Sequence, residues 1–218
     1  MPTLSPHHKG LEKVYEKLLV REQWESTGAS ETRWANQIPV FSGITRGKDR
    51  GVSIDLGYKE SDTVFRWYEL KTGDANDSLY GLIELLTYAL GYLIIRRIVN
   101  LVPTAEHLIR QRSKGLLDAN ETKWILVGTP NFYLRKLRGG RRLSAAEVDR
   151  IRVATEQAMS VAAKRLGFSS IKMTVEARQL SRDLPRIAPG QQEEWLEEIK
   201  AGTTLREAVL RAKQLLTS

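Results

Sequence analysis

Cysteine is absent from the 218-residue sequence, and histidine occurs only three times. The lack of cysteine excludes disulfide bonds, cysteine nucleophiles and thiolate zinc sites. We also expect no membrane-spanning helix, because the most apolar stretch, residues 79–95, has Glu84 near its centre and ends at Arg96 and Arg97. The first ten residues contain no signal-peptide pattern. We therefore expect a soluble, cytoplasmic protein with no membrane partner, and a buried helix over 79–95.

Acidic residues are in the minority, 26 against 34 basic ones, which gives a net charge of +8. Such an excess indicates an anionic partner, either nucleic acid or a membrane surface. The densest group of basic residues surrounds a Gly-Gly pair and consists of Arg135, Lys136, Arg138, Arg141 and Arg142. A basic loop with a glycine hinge is typical of phosphate binding, although a solvated loop is the simpler alternative. We expect nucleic acid as the partner, with DNA favoured over RNA.

Hydrophobic periodicity predicts a mixed α/β chain with helices on both faces of a sheet. The predicted helices cover residues 11–24, 79–102, 105–117 and 143–166, and the predicted strands cover 34–41, 51–58, 63–72, 123–129 and 170–175. Residues 105–117 form either a separate helix or a continuation of the one before. Ser144 and Glu147 have the spacing of a capping box, and Gly167 is a helix stop.

Composition divides the chain into a domain over residues 1–180, a linker over 181–192 and a C-terminal helical segment over 193–218. The linker contains Pro185 and a Pro189-Gly190 pair. From Gln191 onward the chain has five acidic and four basic residues, so this end does not share the basic bias. We expect it to pack on the core or to mediate homo-oligomerisation.

Three charged residues interrupt two neighbouring apolar strands, where burying a charge is costly unless it is paired or functional. Glu69 and Lys71 share one face because side chains alternate along a strand, and Asp55 lies on the face opposite Ile54 and Leu56. If the two strands form a hairpin, the three charged groups converge. The plainer alternative is a structural salt-bridge cluster.

Paired carboxylates suit a hard cation, Mg²⁺ or Mn²⁺, that can polarise a phosphodiester and lower the pKa of a bound water. A lysine beside such an ion can orient or deprotonate the water, or stabilise the charge that develops on phosphorus. Asp55, Glu69 and Lys71 therefore predict a hydrolytic site in which the carboxylates hold the metal.

The spacing of Asp55 and Glu69-Leu70-Lys71 resembles the motif of the PD-(D/E)xK nuclease superfamily. The continuation Lys71-Thr72-Gly73, followed by a helix with Glu84 and Tyr88 four residues apart, is most similar to the RecB-type exonuclease branch. Glu84 stands where that branch usually has glutamine, and no proline precedes Asp55.

The resemblance implies a restriction-endonuclease-like fold, a mixed central sheet flanked by helices, and metal-dependent hydrolysis of nucleic acid. It implies that Glu84 and Tyr88 contact the substrate, although Glu84 in place of glutamine leaves open a role as a metal ligand. It also implies a glutamate on the leading helix near the metal, for which Glu12 is favoured over Glu16.

Tyrosines recur on the same predicted helix, because Tyr80, Glu84, Tyr88 and Tyr92 follow one another at steps of four. Such a stripe is either an amphipathic boundary, with rings packed and hydroxyls in water, or the flank of the metal site. Spacing alone does not decide between them.

Two further functional classes compete with a nuclease. A nucleic-acid-binding module with the same fold but no cleavage is the first, although three retained charges at the site argue against it. A membrane-surface protein is the second and ranks last, because it requires a basic amphipathic helix and the most apolar helix here is acidic at its centre.

Overall fold

The computed structural model describes residues 33–39, 53–71, 77–102, 115–129, 132–133, 137 and 140–179. The strands are β1 Trp34–Pro39, β2 Ser53–Lys59, β3 Val64–Lys71, β4 Glu121–Gly128 and β5 Lys172–Gln179; the helices are α1 Ser78–Leu101 and α2 Ala145–Arg165. The predicted helix at 11–24, the linker at 181–192 and the segment at 193–218 lie outside the described residues. The described part is an α/β fold.

The five strands form one mixed sheet in the order β1-β2-β3-β4-β5. The first three pair antiparallel, whereas β3, β4 and β5 run parallel and are connected through α1 and α2. Right-handed crossovers that advance in one direction across a sheet place their helices on one face. Both described helices accordingly share a core with that face, which includes Leu85, Trp124 and Met159.

The opposite face of the sheet is buried as well, at Leu56 and Ile125 among others. Neither of the two described helices packs over it, since both belong to the core on the other side. The expectation of helices on both faces therefore stays a prediction for the segments outside the described residues.

Helix α1 forms the centre of the core, as the apolar stretch over 79–95 predicts. Asp77 caps its N-terminus by accepting a hydrogen bond from the Tyr80 N–H. Gly81 allows close approach to β4, because a Cβ there would lie 2.9 Å from a methyl of Leu126. The helix is long and apolar enough to cross a membrane, with a mean hydropathy of 1.6 over 18 residues, but half of that window is buried in the fold. Such burial fits the core helix of a soluble protein.

Helix α2 begins and ends as predicted. Ser144 and Glu147 exchange the two hydrogen bonds of a capping box, and Gly167 follows the helix with a φ of 86°. Two other boundaries differ from prediction. Strand β5 continues past Val175 to Gln179, because β4 keeps pairing with it, and the last residues predicted as helix 105–117 form a 3-10 turn at Leu116–Asp118.

An ion-pair cluster joins β2, β3 and β4 near the turn between β2 and β3. Arg66 donates hydrogen bonds of 2.8 and 2.7 Å to the two carboxylate oxygens of Glu60, and Lys123 donates one of 3.1 Å. Hydrogen bonding to Arg66 lowers the pKa of Glu60 from 4.5 to about 2. The ion pairs of Glu60 therefore stabilise the fold fully above pH 4.5, and this contribution is lost as the pH falls towards 2.

We expect Glu60→Gln to lower the free energy of unfolding by about 1 kcal/mol at pH 7, because partly exposed charged hydrogen bonds contribute this much. The loss should shrink as the pH falls below 4.5. Urea unfolding at pH 3, 5 and 7 measures both effects. Asp62→Asn, which removes a carboxylate exposed to solvent on the same turn, should leave stability unchanged. Equal effects of the two substitutions would contradict the assignment.

Candidate functional site

The strands place Asp55, Glu69 and Lys71 at one edge of the sheet, at the ends of β2 and β3 away from their connecting turn. Gly57 pairs with Trp67 in the antiparallel ladder, and paired residues point to the same face. Because side chains alternate along β3, Glu69 and Lys71 lie on that same face, the one covered by α1, and the charge of Asp55 acts on Glu69 from the neighbouring strand. The edge is also where the parallel strands β3 and β4 end.

The side chain of Asp55 takes the place of a ladder carbonyl. Regular pairing between β2 and β3 ends at Leu56 and Tyr68. Beyond this point the Leu70 N–H donates a hydrogen bond of 2.9 Å to Asp55 Oδ2. One carboxylate oxygen is thus fixed to the backbone of β3, beside the residue that carries the second carboxylate, Glu69.

The ammonium group of Lys71 lies between two carboxylates. Lys71 Nζ donates a hydrogen bond of 2.7 Å to Glu69 Oε1. Glu84 Oε2, on α1, lies 2.8 Å from the same nitrogen and forms an ion pair with it. The other oxygen of Glu84 accepts a hydrogen bond of 3.0 Å from the Tyr88 hydroxyl. Five of the predicted site residues therefore form one cluster: Asp55, Glu69, Lys71, Glu84 and Tyr88.

Burial shapes the ionisation of this cluster. Only 3% of Glu69 is exposed, and its pKa is raised to about 8, first by desolvation and then by the charge of Asp55, against a smaller lowering by Lys71. Burial acts to lower the pKa of Lys71, but the carboxylates of Glu69 and Glu84 outweigh it, so this pKa is raised. Burial also raises the pKa of Tyr88. At neutral pH Lys71 is cationic, and Tyr88 is a neutral hydrogen-bond donor.

Among the described residues, the cluster contains more negative than positive charge. With every group ionised, Asp55, Glu69 and Glu84 against Lys71 give a net charge of −2 in a mostly buried place. Glu69 Oε2 is buried and has no hydrogen-bond partner in this part of the chain. A buried excess of negative charge favours the uptake of a proton or a cation, and a carboxylate oxygen without a hydrogen bond is a ready ligand for a hard cation.

Ready-made metal geometry is not present among the described residues, where no three Asp, Glu or His side chains stand together as ligands of one ion. The positions of the charged groups explain this, because the Lys71 ammonium lies between Glu69 and Glu84. The sequence predicts Asp55 and Glu69 as the metal ligands, and in the structure the charge of Asp55 acts on Glu69 by raising its pKa.

The tyrosine stripe on α1 divides between the two alternatives. Tyr88 belongs to the charged cluster through Glu84. Tyr92 instead donates a hydrogen bond of 3.0 Å to the carbonyl of Leu116 and packs against the core, and Tyr80 is half exposed. Only the middle of the stripe reaches the site.

Of the basic loop, Arg141 and Arg142 are described and directly precede the N-cap region of α2, in the connection that begins where β4 ends beside Lys71. Arg141 forms an ion pair with Glu147, and the side chain of Arg142 is exposed. The other predicted members of this loop, Arg135, Lys136 and Arg138, and the leading-helix candidates, Glu12 and Glu16, lie outside the described residues.

One member of the site has no signal in the sequence. The N–H of Leu70 binds Asp55, and a backbone donor leaves no trace in residue type. Glu84 contacts Lys71 in the structure, and its predicted contact with substrate or metal stays a prediction. The sequence contains one signal for the pairing of Glu84 with Lys71, which is the negative charge of Glu84 at a position where the RecB-type branch usually has a neutral glutamine.

Comparison of this chain with protein-family models, with curated proteins and with solved structures finds no match. A function must therefore be inferred from the chemistry of the site itself. Its defining property is a buried, net-negative cluster at the edge where β3 and β4 end, with one carboxylate oxygen of Glu69 unpaired.

Proposed function

We propose that this protein is a metal-dependent nuclease with a restriction-endonuclease-like fold, related to the PD-(D/E)xK superfamily and its RecB-type exonuclease branch. It hydrolyses phosphodiester bonds, with DNA favoured as substrate. The observation that carries the proposal is the unpaired, buried oxygen of Glu69 within a net-negative cluster. In an ordinary structural salt bridge, both carboxylate oxygens would have hydrogen-bond partners, either in the protein or in water.

Asp55 and Glu69 are the proposed ligands of Mg²⁺ or Mn²⁺. Both supply oxygen, which these hard cations prefer, and together they present two negative charges. The ion supplies Lewis-acid polarisation of the phosphodiester and a water of lowered pKa. Glu12, or alternatively Glu16, remains a proposed additional ligand from the N-terminal segment.

Lys71 is proposed to act as a cation rather than as a base. Two neighbouring carboxylates raise its pKa, so at neutral pH the amine has no free lone pair with which to accept a proton. A protonated lysine can donate a hydrogen bond that orients the attacking water, and its charge stabilises the negative charge that develops on phosphorus. Of the roles considered from the sequence, orientation and charge stabilisation are therefore favoured.

Binding of the nucleic acid is assigned to the basic loop. Its surplus of positive charge lies in the connection from β4 to α2, which starts at the same edge of the sheet as the charged cluster. A basic surface beside a small acidic metal site allows the backbone phosphates to be held while one of them approaches the metal.

The deciding experiment uses the wild-type protein on linear, circular and single-stranded DNA with Mg²⁺, with Mn²⁺ or with EDTA. Cleavage that requires a divalent cation supports the nuclease. Binding of DNA without cleavage in either metal would favour the silent binding module. If the protein neither binds nor cleaves DNA or RNA, the nucleic-acid assignment is wrong.

Exposed arginines of the basic loop should set the salt dependence of DNA binding. We expect Arg142→Gln to weaken binding and to reduce the slope of log K against log salt by about 1, because one phosphate contact is lost. Arg141→Gln should have a smaller effect, since its guanidinium already pairs with Glu147. Fluorescence anisotropy of a labelled duplex between about 50 and 200 mM salt measures the slopes.

Arg165→Gln is the matched control, because this arginine is also exposed and lies at the opposite end of α2. Its slope should equal that of the wild type. If all three variants lose affinity equally, DNA contacts the protein through diffuse charge and the loop is not the binding surface.

A further inference from the structure

Among the described residues, the charged cluster contains one cation, Lys71, which two carboxylates share. Lys71 Nζ donates a hydrogen bond of 2.7 Å to Glu69 Oε1 and forms an ion pair of 2.8 Å with Glu84 Oε2. Glu69 Oε2 is buried and has no hydrogen-bond partner among those residues. Because an ammonium group has three N–H donors, Lys71 would stay bound to Glu84 within the cluster if its contact with Glu69 were lost.

Glu84 is held in place independently of Lys71. The Tyr88 hydroxyl, one turn further along α1, donates a hydrogen bond of 3.0 Å to Glu84 Oε1. The neighbouring helix residues Leu82 and Leu85 are fully buried, which fixes the rotation of the helix. Glu84 therefore offers a fixed second position for the lysine, on a different element from the two proposed metal ligands.

We propose that Lys71 is an internal counter-ion that a divalent cation displaces from Glu69, and that Glu84 is the positioning residue that holds Lys71 once it is displaced. This inference rests on the proposed metal site at Asp55 and Glu69. Glu84 then acts on the metal only through the lysine. It is neither a metal ligand nor a substrate contact.

Two opposite effects on metal binding follow. Lys71→Met removes the competitor for Glu69, so Mn²⁺ should bind about tenfold more tightly. Glu84→Gln removes the alternative partner and leaves Lys71 on Glu69, so Mn²⁺ should bind about tenfold more weakly. Tyr88→Phe removes only the hydroxyl that holds Glu84 and should weaken binding by about two- to threefold.

A double-mutant cycle distinguishes positioning from direct ligation. If Glu84 acts through Lys71, then Glu84→Gln in the Lys71→Met background should change Mn²⁺ affinity by no more than about twofold, which is the remaining effect of its charge at a distance. A direct ligand would cost the same factor in both backgrounds. Tyr88→Phe should likewise lose its effect when Lys71 is absent, which provides a second cycle if a Glu84 variant does not fold.

The experiment is a titration of the full chain with Mn²⁺, without DNA, in which electron paramagnetic resonance measures free Mn²⁺. Circular dichroism and thermal unfolding establish that each variant is folded. Asp55→Asn should weaken binding strongly, and Glu60→Gln, which removes a carboxylate elsewhere on the sheet, should leave it unchanged.

The outcomes separate the two proposals. If the wild type does not bind Mn²⁺, or Asp55→Asn binds as well as the wild type, the proposed metal site is wrong. If those two controls behave as expected but Glu84→Gln binds like the wild type, or loses the same factor with and without Lys71, the role of Glu84 is overturned and the metal site stands. A loss confined to the background that retains Lys71 supports the inference.

Discussion

Lys71→Met is expected to slow the proposed metal-dependent cleavage by about 100- to 1,000-fold, the usual effect of removing one group that stabilises transition-state charge. The same variant should bind Mn²⁺ more tightly than the wild type. Lost cleavage together with improved metal binding is a signature that unfolding or a loose site cannot produce. Single-turnover cleavage of a labelled linear duplex at saturating metal measures the rate.

Asp55→Asn provides the contrasting case. This substitution keeps the shape of the side chain and its contact with the Leu70 N–H, since an amide oxygen can also accept that hydrogen bond. It removes one of the two charges proposed to hold the metal, so cleavage and Mn²⁺ binding should fall together. Higher metal concentrations should then restore part of the cleavage by Asp55→Asn and none of that by Lys71→Met.

Lys123→Met is the matched control for Lys71→Met. Lys123 also lies on a strand of the sheet, is partly buried and pairs with a carboxylate, that of Glu60. Its removal should leave the cleavage rate within about twofold of the wild type, because it lies outside the charged cluster. If both lysine variants lose cleavage equally, the effect is on the fold and the role assigned to Lys71 is wrong.

Hydrophobic periodicity predicted the described elements well because each of them has one strongly apolar face. Strands β2 and β3 and helices α1 and α2 follow their predicted ranges within a few residues, and the capping box at Ser144 marks the start of α2. Prediction was poorer where tertiary pairing determines the boundary. The alternation in β5 becomes polar at Glu176 and Arg178, yet the strand continues because β4 offers free backbone groups.

Convergence of the charged residues could be anticipated, but their partners could not. Alternation along a strand predicts that Glu69 and Lys71 share a face, and that follows from local geometry. The pairing of Lys71 with Glu84 depends on how α1 is rotated against the sheet. Steps of four drift around a helix, so the pattern alone cannot tell that Tyr88 reaches the site while Tyr92 binds the Leu116 carbonyl.

Glu69→Gln is expected to make the metal-free protein more stable than the wild type, by an amount that grows between pH 4.5 and 8. Desolvation and the charge of Asp55 raise the pKa of Glu69 from 4.5 to about 8. Between these values the folded chain binds a proton that the unfolded chain has released, so wild-type stability falls as the pH rises through this window. Glutamine has no proton to lose and avoids the fall.

The free energy of unfolding of Glu69→Gln should exceed that of the wild type by an amount that rises by about 1.4 kcal/mol per pH unit where the rise is steepest. This difference should reach a few kcal/mol at pH 8. Urea unfolding in EDTA at pH 5, 6, 7 and 8 measures it. Glu60→Gln is a control of opposite sign, because the pKa of Glu60 is lowered and its removal should destabilise the protein across this whole range. A constant difference between Glu69→Gln and the wild type would mean that Glu69 is ionised throughout.

Divalent cations should reverse the ranking, because a metal ion and the proton compete for the same carboxylate. The wild type should gain stability with excess Mg²⁺ or Mn²⁺ according to its affinity, whereas Glu69→Gln, with one proposed ligand removed, should gain almost none. A proton must leave Glu69 before the metal binds. Below pH 8, the metal concentration that gives half of the gain in stability should therefore fall about tenfold for each unit by which the pH rises. If Glu69→Gln gains as much as the wild type, the unpaired oxygen of Glu69 is not a metal ligand and the buried charge has another purpose.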